Sequence, residues 1–303
     1  MTSKGKVGTN ILDLIGNTPL VRINHLNPNP NVTIYAKLEG NNPGGSIKDR
    51  IARKMIEQAE AEGALSKGKT IIEATSGNTG IALAMIGTIK DYDVEIVMSE
   101  AVSSERRKTI KAYGAKITLT DAEKGTDGSI MKVKELTEKH PDKYFCTDQF
   151  TNKYNKIAHY ETTAKEIWKQ INGNIDYFVS AIGTSGTIMG VGLYLKSRNP
   201  NVKIVCAHPV KGHYIQGLKN MEEAIIPSIY DPSKIDDEIM VETEEAFEMT
   251  RQLAAKEGIF VGMSSGAAML AAVETAKKAE KGIIVTIFPD RGDRYLSTDL
   301  FKC

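Results

Sequence analysis

The chain has 303 residues, of which 41% are hydrophobic and 25% charged, a composition typical of a folded protein with one large domain or two modest ones. Its 39 Lys and Arg residues nearly balance its 38 Asp and Glu residues, so no strong basic field favours nucleic acid or an anionic membrane. The sequence shows neither a signal-peptide segment nor an apolar run near the ~20 residues of a membrane span. We therefore expect a cytoplasmic protein that binds small molecules.

The cysteines and histidines predict neither a disulfide framework nor a metal site. Cys146, Cys206 and Cys303 are odd in number and lack CxxC spacing, and the five histidines form no HExxH motif. We expect Cys206 to be a buried strand residue and Cys303 to lie at a frayed chain end.

The first helix that bears on function begins within "NNPGGSIKDR", residues 41 to 50. A turn precedes Ser46, which is a good N-cap, and Asp49 completes the spacing of a capping box. Lys48 then lies in the first helical turn, where the helix dipole disfavours a cation by about 0.3–1 kcal/mol. Lys48 is either a solvated surface residue or a functional one. The apolar face of the helix is predicted from Ile47, Ile51, Met55, Ile56 and Ala59.

Strand-like and helical segments alternate along the rest of the chain. Strands are predicted at "KTIIEAT", "VEIVMSE", "KITLTD", "DYFVSAIG", "KIVCAHP" and "IIVTIFPD", with amphipathic or apolar helices between them. This alternation predicts an α/β fold with parallel twisted sheets flanked by helices. Domain boundaries are expected near residues 44 and 151.

Three glycine-containing turns open helices: "TSGNTG" (75 to 80), "GTSGT" (183 to 187) and "GMSSG" (262 to 266). Backbone N–H groups at such helix N-termini bind anions. A nicotinamide site is disfavoured, although Glu100 follows at the right distance, because Gly77 and Gly80 lack the preceding glycine of GxGxxG. Two anion-binding turns suit a cofactor phosphate and a substrate carboxylate, and a desolvated lysine supplies an amine that can join the two. This combination suggests pyridoxal phosphate.

The ordered motifs "NPGGSIKDR", "EATSGNTGIALA", "GTSGT", "GMSSGAA" and "DRGDRYLST" resemble the cysteine synthase (O-acetylserine sulfhydrylase) family of fold-type II pyridoxal-phosphate enzymes, and are closer to its B-type members. The resemblance covers nearly the whole chain. It implies a small mobile domain at residues 45–151 and a large cofactor-binding domain formed by residues 1–44 and 152–303. It also implies a homodimer and a possible complex with serine acetyltransferase.

The resemblance assigns roles to individual residues. Lys48 is the Schiff-base lysine and the base for the α-proton, Asn78 binds the cofactor's ring hydroxyl, and Ser264 is the partner of the pyridine nitrogen. The phosphate loop is Gly183, Thr184, Ser185, Gly186 and Thr187. The substrate carboxylate is bound by Thr75, Ser76, Thr79 and Gln149.

One position departs from the family pattern, because serine stands at 185 where glycine is more usual. We expect Ser185 to be tolerated there if its backbone angles are ordinary.

The hydroxyl of Ser264 does not hold a proton on the ring nitrogen as a carboxylate would, which weakens the electron sink and favours loss of a group from the β-carbon. The implied reaction is β-elimination or β-replacement at C3 of a serine- or cysteine-type amino acid, through an aminoacrylate.

Other members of this fold are disfavoured on particular residues. Serine and threonine dehydratases usually have histidine where Thr79 stands. Cystathionine β-synthase stays open as a catalytic core, although that enzyme would be expected with a haem-binding extension and a regulatory domain. A non-catalytic scaffold would be expected to have lost Lys48.

The second nucleophile is open to two interpretations, because the segment after "IQG" carries Glu222, Glu223 and Asp231. If these acids are solvated, an ordinary cysteine synthase is expected. If one faces the β-carbon, it would repel hydrosulfide and activate water or a thiol. The enzyme would then be a cysteine lyase that releases hydrogen sulfide and forms serine or a thioether, with Asp231 as the base because Pro232 restrains its loop.

Overall fold

The computed structural model describes residues 7–223 and 225–302, so Cys303 lies outside the described residues. Ten strands are present in this part of the chain: β1 Leu20–Ile23, β2 Val32–Leu38, β3 Thr70–Ala74, β4 Val94–Ser99, β5 Lys116–Thr120, β6 Tyr144–Cys146, β7 Tyr177–Ala181, β8 Lys203–Pro209, β9 Asp237–Val241 and β10 Gly282–Phe288.

The described residues also form nine α-helices, and a π-helical turn, His159–Thr163, joins the fifth to the sixth. None of these helices is long and apolar enough to cross a membrane. The helices are α1 Lys48–Ala61, α2 Asn78–Lys90, α3 Ser104–Ala112, α4 Gly125–Lys139, α5 Lys153–Ala158, α6 Ala164–Gln170, α7 Gly186–Arg198, α8 Thr243–Glu257 and α9 Met263–Lys278.

The strands form two sheets, a six-stranded sheet in the order β1-β2-β10-β7-β8-β9 and a four-stranded sheet in the order β5-β4-β3-β6. The four-stranded sheet is parallel throughout, as the alternation of strands and helices predicts. The six-stranded sheet is mixed, because the edge strand β1 pairs antiparallel with β2. The antiparallel pairing of β1 departs from the expectation of parallel sheets. The connection from β1 to β2 is short and has no crossover helix, so β2 runs back alongside β1.

Both sheets are covered by helices on both faces, and neighbouring residues of a central strand alternate between two cores. In the smaller sheet, Ile71 packs with residues of α1 and α2, whereas Ile72 packs with Val133 of α4. In the larger sheet, Ile284 faces the core that contains α8 and α9, and Val285 faces the core that contains α6 and α7. Such two-sided burial explains why these strands are continuous apolar runs in the sequence. Cys206 of β8 is buried, as predicted.

Candidate active site

Helix α1 begins at Lys48, which confirms a lysine in the first turn, but the predicted capping box does not form. The N-cap is Ile47, while the Ser46 hydroxyl accepts a hydrogen bond from the Lys48 N–H at 3.2 Å. Asp49 turns away and accepts from the Gly44 N–H at 2.5 Å. Burial raises the pKa of the Asp49 carboxyl to about 7, against the opposing effect of this N–H bond. Asp49 therefore fixes the turn before the helix instead of capping it.

Lys48 lines two adjoining cavities, each with an empty volume of ≈ 540 Å³. Burial lowers the pKa of the Lys48 ammonium to about 8, and the negative charge of Asp290 opposes this shift. A larger neutral fraction of the amine is therefore available near neutral pH than for an ordinary lysine. The first cavity is also lined by Asn78, Gly183, Thr184, Ser185, Thr187 and Ser264. The second is also lined by Thr75, Ser76, Asn78, Thr79, Gln149, Gly183 and Thr184.

The "GTSGT" turn joins β7 to α7 and surrounds one end of the first cavity. Ser185 is the N-cap of α7 and has φ +64°, so the condition set for tolerating serine here, ordinary backbone angles, is not met. Among the residues that the structure describes, its buried hydroxyl has no hydrogen-bond partner. A left-handed serine is unfavourable and an unpaired buried hydroxyl is costly, so a ligand that accepts from Ser185 would compensate for both.

The glycines of this turn have no room for a side chain. A Cβ atom at Gly183 would collide with the carbonyl oxygen of Gly217, and a Cβ atom at Gly186 would collide with the side chain of Asn155. The close approach to Gly217 brings the loop after β8 over the turn. The two glycines thus allow the backbone to form a tight cradle.

Two residues that sequence reasoning missed hold the threonines of this cradle. Asn155 donates to the Thr184 hydroxyl at 3.0 Å and to the Gln149 carbonyl oxygen at 2.7 Å. The His159 Nε2 lies 3.3 Å from the Thr187 hydroxyl. Burial, with Lys48 and Arg50 nearby, holds the pKa of His159 well below its usual range, so its ring is neutral. No motif marks either residue in the sequence, and only the packing of α5 and the π-helical turn against α7 brings them here.

The "TSGNTG" turn joins β3 to α2 and lines the second cavity. The Thr75 hydroxyl accepts from the Gly77 N–H at 3.0 Å, in a turn where Gly77 has φ +132°. Thr79 donates to the side-chain oxygen of Gln149 at 2.7 Å, and Gln149 donates to the Ala74 carbonyl oxygen at 3.0 Å. Thr79 and Gln149, which were both predicted to bind the substrate carboxylate, therefore contact each other. The N–H groups at the start of α2 give it the character of an anion site.

Asn78 is fixed by two charged residues of the "DRGDRYLST" segment. Its side-chain amide donates to Asp290 at 2.6 Å, and its side-chain oxygen accepts from Arg294 at 2.5 Å. Because one N–H of the amide is used by Asp290, the second N–H remains for a ligand in the first cavity. The motif containing Asp290 and Arg294 was recognisable in the sequence, but its contact with Asn78 was not.

Arg106 connects these turns from α3. Its guanidinium donates to the Ser76 carbonyl oxygen at 3.0 Å, to the Gln216 side chain at 2.7 Å and to the Tyr295 hydroxyl at 2.5 Å. Tyr295 in turn donates to Asp290 at 2.7 Å. A fully buried arginine thus joins the substrate-side turn to the loop after β8.

Ser264 lies in the first turn of α9, is 5% exposed and lines the first cavity. The N-cap of α9 is Gly262, so Ser264 is not the capping residue. No partner for its hydroxyl is found among the described residues, which leaves that hydroxyl available to a ligand.

Asp231 is not brought to either cavity, in contrast to its predicted role as a base. It caps a short 3-10 helix, Pro232–Lys234, and accepts from the N–H and hydroxyl of Ser233 at 3.0 and 2.7 Å. These bonds lower the pKa of its carboxyl, and half of its side chain is exposed. Glu222 and Glu223 are also exposed, and Glu223 accepts from the Gly212 N–H at 3.0 Å. Pro232 is the first residue of this short helix, and Asp231 is its N-cap.

Pyridoxal phosphate fits the first cavity on the chemistry of its lining. The unpaired Ser185 hydroxyl and the crowded glycines form a phosphate-sized cradle, while the amine of Lys48 lies at the junction with the second cavity. The hydroxyl of Ser264 and the free amide N–H of Asn78 are suited to a heteroaromatic ring with a nitrogen and a hydroxyl group.

The comparisons with known proteins agree with this chemistry. The model of the family described as pyridoxal-phosphate dependent enzyme matches residues 11–290. The chain is 51% identical to cysteine synthase of Aquifex aeolicus (strain VF5), over 98% of this chain and 93% of that protein. It is 45% identical to cysteine synthase B of Pseudomonas aeruginosa, over 96% of this chain and 97% of that protein. A hydrogen sulfide-producing enzyme from Fusobacterium nucleatum has a similar structure, with TM-score 0.91, 45% identity, and coverage of 96% of this chain and 100% of that one.

The fold and the cavities define a pyridoxal-phosphate-dependent enzyme built on two helix-covered sheets. The chain belongs to the family of pyridoxal-phosphate dependent enzymes and, within it, to the cysteine synthases, which confirms the predicted resemblance and cofactor. It is a β-replacing enzyme of sulfur amino-acid metabolism, and its substrate is an amino acid.

Proposed function

We propose that the enzyme replaces the acetoxy group of O-acetylserine with a sulfur nucleophile and so forms cysteine or a related thioether. The observation that carries this proposal is the position of the Lys48 amine between a cradle suited to phosphate and a turn suited to a carboxylate. When bound, pyridoxal phosphate supplies the electron sink for the pair left at Cα.

The residues of this chain then have separate tasks. Gly183, Thr184, Ser185, Gly186 and Thr187 hold the phosphate, and Asn78 and Ser264 orient the ring. Thr75, Ser76, Thr79 and Gln149 bind the substrate carboxylate. Lys48 would hold the cofactor, and its amine would be the base that accepts the proton from Cα. The lowered pKa of Lys48 keeps a useful fraction of that amine neutral near pH 8.

The family resemblance also predicts features that the cavities do not address. We propose that residues 45–151, which contain all four strands of the smaller sheet, move as a unit toward the larger sheet when the carboxylate binds. Such closure excludes water from the reacting centre. A homodimer, a cytoplasmic location and a complex with serine acetyltransferase remain predictions of the resemblance.

A second candidate reaction is cleavage of cysteine with release of hydrogen sulfide, because the similar structure from Fusobacterium nucleatum is named for that product. The base would not be Asp231, since that carboxylate does not line either cavity. The Lys48 amine would be the base instead, and it would activate a water molecule or a thiol.

One experiment separates the two reactions. Cysteine formation from O-acetylserine and sulfide is measured beside sulfide and serine release from cysteine alone. Efficient synthesis with little sulfide release supports the first proposal. Faster release of sulfide from cysteine than synthesis of cysteine would favour the second reaction. The absence of both reactions in the loaded enzyme would contradict both proposals.

A further inference from the structure

A buried carboxylate lies directly before the "TSGNTG" turn, and the proposed reaction assigns it no task. Glu73 is the fourth residue of β3 and is 1% exposed. Among the described residues, its hydrogen-bond donors are all neutral groups, and it forms no ion pair. A buried carboxylate without a cation is costly, so its place in a strand that is otherwise apolar points to a specific task.

Three donors bind the Glu73 carboxylate. One oxygen accepts from the Ala74 N–H at 3.0 Å. The other accepts from the Thr147 hydroxyl and, at 3.2 Å, from the Gln149 N–H. Burial raises the pKa of the Glu73 carboxyl to about 7, the bond from Thr147 opposes this shift, and the charge of Asp148 adds to it. Glu73 thus joins β3 to the segment that follows β6.

The segment after β6 has a strained backbone that needs support from its surroundings. Asp148 has φ +45°, a left-handed conformation that is unfavourable for a residue with a Cβ atom. The next residue, Gln149, is held on both sides. Its N–H donates to Glu73, and its carbonyl oxygen accepts from the buried Asn155 at 2.7 Å. Two buried side chains therefore fix both peptide groups of Gln149.

The fixed backbone sets the direction of the Gln149 side chain, which lines the second cavity. The side-chain oxygen accepts from Thr79 at 2.7 Å, and one amide N–H donates to the Ala74 carbonyl oxygen at 3.0 Å. The amide has a second N–H, which makes no bond to the described residues and is left for a ligand. A carboxylate in the second cavity is a suitable acceptor for it.

We propose that Glu73 is a positioning residue for the substrate carboxylate, because it holds the Gln149 amide in the direction that faces the second cavity. This inference rests on the proposed function, in which Gln149 binds that carboxylate, and adds the group that orients Gln149. Glu73 itself lines neither cavity. Asn155 supports Gln149 from the other side but also donates to Thr184 of the phosphate cradle, so Glu73 is the more selective position to alter.

The test compares two amines, L-serine and ethanolamine, of which only serine has a carboxylate. Their binding to the cofactor-loaded enzyme is followed by the absorption of the cofactor at a pH of about 8, where most of the Glu73 carboxyl is ionised. Glu73→Gln keeps the size of the side chain but leaves one buried N–H without its acceptor. We expect the affinity for serine to fall about tenfold, while the affinities for ethanolamine and for pyridoxal phosphate stay unaltered.

Glu95→Gln is the matched control. Glu95 is a buried carboxylate of the neighbouring strand β4, and its donors, Lys116, Thr118 and Tyr144, line neither cavity. Its replacement removes a buried charge from the same sheet, so it reports any general effect of such a loss. The ratio of serine affinity to ethanolamine affinity should be unchanged in this variant.

Two further variants separate positioning from a general role in folding. Thr147→Val removes one donor to Glu73 with little change in volume, and it should lower the affinity ratio about threefold. In a double-mutant cycle, Glu73→Gln should have no further effect on serine binding once Gln149→Ala has removed the amide. A residue that only stabilised the fold would not depend on the side chain of Gln149 in this way.

Turnover of O-acetylserine is measured separately, so the two proposals can fail separately. Selective loss of serine binding in Glu73→Gln would support the inference even if O-acetylserine proved not to be a substrate. Equal serine affinity in Glu73→Gln and the unaltered protein, an equal loss with ethanolamine, or additive losses with Gln149→Ala would overturn the inference and leave the proposed reaction in place.

Discussion

Replacing Ser185 with glycine should affect the protein with and without its cofactor in opposite directions. The left-handed backbone of Ser185, at φ +64°, costs a residue with a Cβ atom about 1–2 kcal/mol. Its buried hydroxyl without a partner costs ~1–3 kcal/mol. Glycine removes both costs but adds ~0.5–1 kcal/mol of chain entropy on folding. We expect the cofactor-free Ser185→Gly variant to be more stable by about 1–4 kcal/mol.

The cofactor-bound protein should respond differently, because we propose that the same hydroxyl donates to the phosphate. Loss of a hydrogen bond to a charged group costs about 1.5–3 kcal/mol, which corresponds to roughly 10- to 100-fold weaker binding of pyridoxal phosphate. Relief of backbone strain contributes equally to the free and bound proteins and does not change this affinity.

Thermal unfolding of the cofactor-free protein and a fluorescence titration with pyridoxal phosphate measure the two effects. We expect Tm to rise by about 2–5 °C while the affinity falls. Ser185→Ala is the matched control, because it loses the hydroxyl but keeps the strained backbone, so its affinity should fall with a smaller gain in Tm. A lower Tm for Ser185→Gly would refute the strain argument, and unaltered affinity would show that the hydroxyl does not face the phosphate.

Three other predictions concern Lys48 and Asp290. Lys48→Ala should lose the visible absorption band of the bound cofactor and its covalent attachment by borohydride, and a normal band with full turnover would remove Lys48 from the proposal. Cofactor loading requires the neutral amine, whose fraction rises with pH, so the loading rate should increase through a midpoint at pH about 8. A midpoint close to that of an ordinary lysine, ~10.4, would contradict the effect of burial. Asp290→Asn should weaken cofactor binding roughly tenfold, because an amide cannot accept equally from Asn78 and Tyr295, whereas the exposed Asp293→Asn should have no effect. Equal cofactor affinity of the two variants would show that Asp290 does not orient Asn78 for cofactor binding.

Local sequence was sufficient for the elements whose causes are local. Apolar runs such as β10 predict buried strands because both faces of a central strand need cover, and the glycines at 183 and 186 mark a turn that excludes side chains. The lysine at the start of α1 was visible because it opposes the helix dipole. The antiparallel strand β1 was not predicted, since its direction depends on the neighbour with which it pairs.

The residues that support the site were invisible in the sequence. Asn155 and His159 reach the site through the packing of α5 and the π-helical turn against α7, and Arg106 reaches the Gln216 side chain across 110 positions of the chain. Contacts between residues so far apart leave no periodic signal, because local patterns report only which face of an element is buried.

By itself, the sequence predicted the helix-covered sheets and the glycine turns, because hydrophobic period and glycine act over a few residues, and the family resemblance of its motifs pointed to Lys48. Only the tertiary structure decided which charges face the substrate. It places the carboxylate of Asp231 in a surface cap and the ammonium of Lys219 in the cavity, 12% exposed beside Phe150. The physical reason is that the direction of a loop side chain depends on the elements packed around it, and in this protein Lys219 donates to Asp127 of a distant helix beside the second cavity.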